Sequence, residues 1–146
     1  MKAHEIMTPR PEVVTPQDPI SRAAQIMRDH DVGLVPVVSS TSSMALEGVI
    51  TDRDLAVRHV ADGHSDDCTV GNHMSRDRIQ AVVESDDVSS VIATMERAEV
   101  RRVPVTDANG KLLGIIAQAD VARCQDIPKA QVGEVVSRVS EPKNRG

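Results

Sequence analysis

The chain has 146 residues, a formal net charge of −5 and 40% hydrophobic residues, enough to build a core of useful size. Lysine and arginine are scattered through it, so no basic surface for a phosphate backbone forms and nucleic acid is not an expected partner. No apolar run approaches the roughly 20 residues that span a bilayer, no signal-peptide run opens the chain, and Cys68 and Cys124 fit neither a CxxC pair nor a disulfide framework. A soluble cytoplasmic protein with no membrane partner is the expectation.

In chain order, the lead-in Lys2-Ala3-His4-Glu5-Ile6-Met7-Thr8 precedes a predicted short strand over Glu12 to Thr15. Asp18 reads as an N-cap with Pro19 at the first helical position, and Ile20, Ala23, Ala24 and Met27 follow the stripe of an amphipathic helix. The β-branched runs Leu34 to Val38 and Leu46 to Thr51 flank a polar serine-rich loop and predict a hairpin, with a second helix from about Asp52. A second lead-in, Thr69 to Ser75, opens the same order again. It is followed by a strand over Gln80 to Val83, a helix with Val88, Val91, Ile92 and Met95 on one face, a hairpin from Arg102 to Thr106 and Leu112 to Ala117, and a helix from about Gln118. Asn109-Gly110 is a strong hairpin-turn signal between those strands. A third lead-in-like stretch, Gln131 to Ser137, predicts a docked turn followed by a frayed tail.

The order is a repeat. Val35-Pro36-Val37 returns as Val103-Pro104-Val105, and Gly48-Val49-Ile50-Thr51-Asp52-Arg53-Asp54-Leu55 returns as Gly114-Ile115-Ile116-Ala117-Gln118-Ala119-Asp120-Val121. The fold expected is α+β, two pseudo-symmetric βαββα repeats packed as one disc-like module. The first repeat with its lead-in takes residues 1–67, the second 68–130, and a C-terminal segment 131–146. A repeat of this size buries only a modest core alone, so the copies are expected to pack together.

These blocks, with Met7-Thr8-Pro9, resemble the cystathionine-β-synthase (CBS) domain, whose tandem pair is called a Bateman module, in its stand-alone bacterial form. The resemblance covers nearly the whole chain. It implies a non-catalytic, energy-sensing module for signal transduction. That module would bind an adenosine nucleotide (AMP, ADP or ATP) or S-adenosylmethionine in clefts between the repeats, and it would associate as a homodimer. It needs no cofactor beyond that regulatory ligand, and an unknown protein effector would read its state. By resemblance, Asp54 and Asp120 take the ribose hydroxyls. Thr51 and Arg53 join Asp54 in a cleft lined by Ile79, Ala81 and Val82, while Thr8, Val13 and Val14 line the Asp120 cleft. Pro36 and Pro104 mark the Val-Pro-Val strands, and Arg101 and Arg102 reach phosphate. The Asp54 cleft, which keeps the hydroxyl and cation that Ala117 and Ala119 replace in the second repeat, ranks first.

Other readings stay open beside these. A carboxylate takes two hydrogen bonds from a cis-diol, yet Thr51-x-x-Asp54 also fits a capping box that merely closes a helix turn. Arg101 and Arg102 are equally plain exposed edge charges. No GxGxxG, GxxxxGK[ST], GxSxG or HExxH occurs, so no catalytic residue is expected. His64, Cys68 and His73 carry donors that zinc accepts, but at a spacing of no standard zinc motif; solvated linker residues are the alternative. A structural dimerisation module with empty clefts is a further alternative. The chain has no Phe, Trp or Tyr, so an adenine ring would have to lie between aliphatic walls.

Overall fold

The computed structural model describes residues 1–64, 67–76 and 79–124. The expected C-terminal turn and tail, 131–146, lie outside the described residues. Along the chain run α1 (Ala3–Ile6), β1 (Thr8–Pro9), α2 (Ile20–His30), β2 (Leu34–Val38), β3 (Leu46–Thr51), α3 (Asp54–Val60), α4 (Val70–His73), β4 (Val82–Val83), α5 (Val88–Ala98), β5 (Arg102–Thr106), β6 (Leu112–Ala117) and α6 (Gln118–Arg123). All four hairpin strands occupy the predicted runs. The two entry strands are shorter than predicted: Val14 makes a single parallel bridge to Val37, and only Val82 and Val83 form β4.

The chain divides into two compact units. Among the described residues, one holds Met1–Arg10, Gln80–Asn109 and 113–124; the other holds Pro11–Ile79 and Gly110–Leu112. We name them the Asp120 unit and the Asp54 unit after the aspartate each contains. In the Asp120 unit the sheet order is β1-β6-β5-β4, with β1 antiparallel to β6 and β4 parallel to β5. In the Asp54 unit β2 and β3 pair antiparallel, Val35 facing Ile50, while Val14 and Ser75 bridge to Val37 and Val49. Each Val-Pro-Val strand thus has neighbours on both sides.

The Asp54 unit buries Val14, Ile20, Ala23, Ile26, Met27, Val35, Val37, Ile50, Val70 and Met74 in one cluster. The Asp120 unit buries the corresponding set of Val82, Val88, Val91, Ile92, Met95, Val103, Val105, Ile116 and Val121, with Ala3 and Cys124. On α2 the inward residue is Ile26 rather than the expected Ala24, because the larger side chain gains more from burial. The first residue of α2 is also later than expected. Asp18 is not its N-cap; its carboxylate accepts from the Thr15 N–H at 2.8 Å, and Pro19, with ψ at 148°, stands in the cap position.

The lead-ins are exchanged. Gly48 on β3 lies so close to the second lead-in that a Cβ there would meet the Ser75 carbonyl oxygen at 2.4 Å and the Met74 methyl at 2.5 Å. Gly114, its counterpart on β6, has the Met7 sulfur at 2.6 Å and the Thr8 carbonyl oxygen at 2.7 Å from the same point. Each lead-in therefore docks on the hairpin of the other repeat. The lead-ins thus pack outside the repeat that each precedes, and a glycine in each receiving hairpin leaves room for the close approach.

Candidate functional site

A turn closed by an aspartate precedes each long helix and opens each second one. Asp18 accepts from the Thr15 N–H, Asp54 from the Thr51 N–H at 2.9 Å, Asp86 from the Val83 N–H at 3.0 Å and Asp120 from the Ala117 N–H at 2.8 Å. Local geometry explains the recurrence: a carboxylate three residues on reaches back to an N–H that the turn leaves unpaired. At Asp54 the closure is reciprocal, since the Asp54 N–H donates to the Thr51 hydroxyl at 3.1 Å. This is the expected capping box. Ala117 has no hydroxyl, so the second repeat keeps only half of it.

Asp54 and Asp120 are both buried at 8% exposure. Each also faces an arginine one turn along its helix: Arg58 Nε lies 3.7 Å from Asp54 Oδ1, and the Arg123 guanidinium contacts Asp120 Oδ1. An ionised carboxylate has about four lone-pair positions and can accept from several donors at once, as the backbone N–H and the arginine at each aspartate illustrate.

The start of α6 borders a recess of about 390 Å³ lined by Arg101, Arg102, Ala117, Gln118, Ala119 and Ala122. The Gln118 N–H donates to the Arg101 carbonyl at 2.9 Å, which ties the helix start to the approach of β5. In the Asp54 unit Asp52 makes the same bond to Gly33 at 2.9 Å, and its carboxylate lies over the glycine, 3.0 Å from where a Cβ would be. The recess thus belongs to the repeat ranked second from sequence, and its two arginines have no counterparts at Gly33 and Leu34.

The remaining candidate residues divide between the units. Thr8, Ala81, Val82, Arg101, Arg102, Pro104 and Asp120 share the Asp120 unit; Val13, Val14, Pro36, Thr51, Arg53, Asp54 and Ile79 share the other. Val14 and Val82 are 1% and 3% exposed and belong to the cores of their own units. Pro36 and Pro104 are buried in their strands, whereas Thr8, Arg53, Ala81 and Arg101 are exposed.

A second group of chemically active side chains gathers in the Asp54 unit. His59 Nδ1 lies 3.3 Å from His73 Nε2, and Cys68 Sγ lies 3.6 Å from His64 Nδ1. His73 is buried at 4% exposure. Burial first, then the charges of His64, His59 and Arg58, pull its pKa below the ordinary histidine value. His59 had no signal in the sequence, because only the wide winding of α3 turns it toward residues far along the chain.

The CBS domain family model matches residues 3–59 and again 70–126. The chain belongs to the CBS-domain family. Among its CBS relatives, Hypoxic response protein 1 of Mycobacterium tuberculosis is 31% identical over 140 residues, covering 96% of this chain and 94% of that protein. The crystal structure of Hypoxic Response Protein I with two coordinated zinc ions superposes with a TM-score of 0.76 at 32% identity, covering 88% of this chain and all of that one. CBSX2 from Arabidopsis thaliana, in complex with AMP, superposes with a TM-score of 0.71 at 27% identity, covering 84% of this chain and 93% of that one. The α+β CBS-pair fold expected from the sequence is the one observed. Among the described residues no helix is long and apolar enough to cross a membrane.

Proposed function

We propose that this CBS pair is a non-catalytic cytoplasmic regulatory module that binds an adenosine nucleotide of the AMP, ADP or ATP class. The observation that carries the reading is the recess at the start of α6. Its volume falls within the range of small-molecule sites, two arginines line it, and the buried Asp120 carboxylate stands in the first turn of the helix that borders it. Asp120 takes the ribose hydroxyls, Arg101 and Arg102 take phosphate, and the exposed N–H groups of the helix start add to the attraction for anions. Asp54, with Thr51 and Arg53, offers the equivalent carboxylate in the other unit. The AMP complex of CBSX2 supports the choice of ligand class.

Thermal unfolding followed by circular dichroism in the presence of AMP, ADP, ATP, NAD or S-adenosylmethionine tests this. A ligand that binds only the native state at a hundred times its Kd adds about 2.7 kcal/mol of stability. An adenosine nucleotide is expected to raise the Tm. By calorimetry Asp120→Ala should then weaken binding roughly a hundredfold, since two charge-assisted hydrogen bonds are lost. No shift with any of the five ligands would refute the reading.

A second reading rests on α3, where Val57 is 47% and Val60 70% exposed. These side chains suit a homodimer contact, whereas Val121 on α6 is buried in the core. A dimer mass by light scattering, with no nucleotide bound, would favour a structural dimerisation module.

A further inference from the structure

Three of the chain's five histidines and one of its two cysteines converge at a single place in the Asp54 unit. The donor atoms of His59, Cys68 and His73 all lie within 4.8 Å of one another. The His64 ring stands beside them, its centroid 4.8 Å from that of His73 and 6.2 Å from that of His59. We propose that His59, His64, Cys68 and His73 form a binding site for one zinc-class divalent cation, independent of any nucleotide.

The distances carry the argument. Zinc holds imidazole nitrogen at about 2.0–2.1 Å and thiolate sulfur at about 2.3 Å in a tetrahedron, so two nitrogens on one ion stand roughly 3.3 Å apart and a nitrogen–sulfur pair roughly 3.6 Å. The observed pairs, His59 Nδ1 to His73 Nε2 at 3.3 Å and Cys68 Sγ to His64 Nδ1 at 3.6 Å, match two opposite edges of that tetrahedron. Three nitrogens and one sulfur form a closed donor set that needs no water ligand. Borderline-soft cations prefer such a set, while magnesium and calcium, which require oxygen, do not.

Local structure explains how such scattered residues meet. Helix α3 is wound with bonds that span five residues, as in the Ala61 N–H to the Ala56 carbonyl at 3.0 Å, and the His64 N–H continues the pattern to the His59 carbonyl at 3.0 Å. Wide turns of this kind are rare and concentrate at functional sites. This one sets the His59 and His64 rings nearly parallel, 23° apart, on one side of the chain. Helix α4 supplies His73 from the opposite side. It is held to α3 by the Arg58 guanidinium, which donates to the His73 carbonyl at 3.5 Å, and it anchors the lead-in that docks on β3. An ion here would clamp α3, the 68–73 segment and the docked lead-in together.

The test uses the full chain made without a histidine tag, stripped by a chelator and titrated with Co²⁺, then with Zn²⁺. The chain has no aromatic residues, so a thiolate-to-cobalt charge-transfer band in the near ultraviolet stands clear of protein absorbance. One equivalent of Co²⁺ should give intense tetrahedral ligand-field bands and that charge-transfer band, and Zn²⁺ should displace it. Cys68→Ser should abolish the charge-transfer band, His59→Ala should weaken binding at least about tenfold, and Cys124→Ser should change neither. Circular dichroism reports whether each variant is folded. As a measurement needing no variant, Zn²⁺ should protect Cys68 of the wild-type chain from alkylation by iodoacetamide. The proposal is overturned by a weak octahedral cobalt spectrum, by a charge-transfer band that survives Cys68→Ser, or by alkylation of Cys68 at the same rate with and without zinc. Failure of nucleotide binding leaves all these readouts unaffected.

Discussion

Thr51 and Ala117 hold the same position in the two repeats and differ by the hydroxyl that completes a capping box. Because the Asp54 N–H donates to that hydroxyl, Thr51→Ala should lower stability by about 1 kcal/mol, and Ala117→Thr should raise it by a few tenths to about 1 kcal/mol by completing the second box. Urea denaturation followed by far-ultraviolet circular dichroism measures both; no gain from Ala117→Thr would mean that the α6 turn cannot orient a hydroxyl as the α3 turn does. The aspartates themselves were legible in the sequence, because a short polar side chain at a helix start has few other roles and its recurrence at one register makes chance improbable. The resemblance gives Asp120 a cleft and Arg101 and Arg102 a phosphate role, but no residue pattern announces the recess at the start of α6, because a cavity depends on how that helix meets the approach of β5. His59 was invisible for a different reason: it stands fourteen positions before its partner His73, and nothing in the sequence announces five-residue winding.

At the scale of elements, the hairpins hold the docked lead-ins through glycines, and the substitutions that test this differ in what they strike. Gly48→Ala and Gly114→Ala place a methyl within 2.7 Å of a backbone carbonyl oxygen, which cannot swing aside, and each should cost about 1–3 kcal/mol or more. Gly33→Ala meets only the far end of the Asp52 side chain at 3.0 Å, and a rotamer change relieves it, so its cost should be clearly smaller. Thermal unfolding of the three variants checks the ranking; equal losses would show that the slots are not what the glycines serve. The hairpins and long helices were readable because β-branched runs and a 3.6-residue stripe each extend over enough residues to register. Helices α1 and α4 are single turns of four residues and leave no period to detect. The entry strands came out shorter than predicted because Pro11 and Pro16 bracket the first and only two residues of the second run alongside β5.

At the scale of the whole molecule, a repeat identifies similar segments but not which copy of a hairpin a given segment packs on, so the exchange of lead-ins could not be read from the offset. It makes a prediction about pieces. Residues 1–67 lack Val70, Met74 and Ser75, which fill the Asp54 core and pair with β3, and residues 68–146 lack Ala3 and β1. Neither fragment alone should show a cooperative thermal transition, and an equimolar mixture should recover one; a cooperative melt of 68–146 by itself would contradict the exchanged architecture. The same arrangement sets a timetable during synthesis. Residues 1–10 are made before either hairpin, yet the strand that receives Thr8 and Pro9 is made about a hundred residues later, an interval of roughly 5–20 s at ordinary elongation rates. By the last third of that wait the Asp54 unit has most of its chain, while Ala3, Ile6 and Met7 still have no core to enter. A segment translated ahead of both hairpins is thus among the last to find its place, and a nascent chain halted between the repeats would display Ala3, Ile6 and Met7 to whatever chaperone meets it.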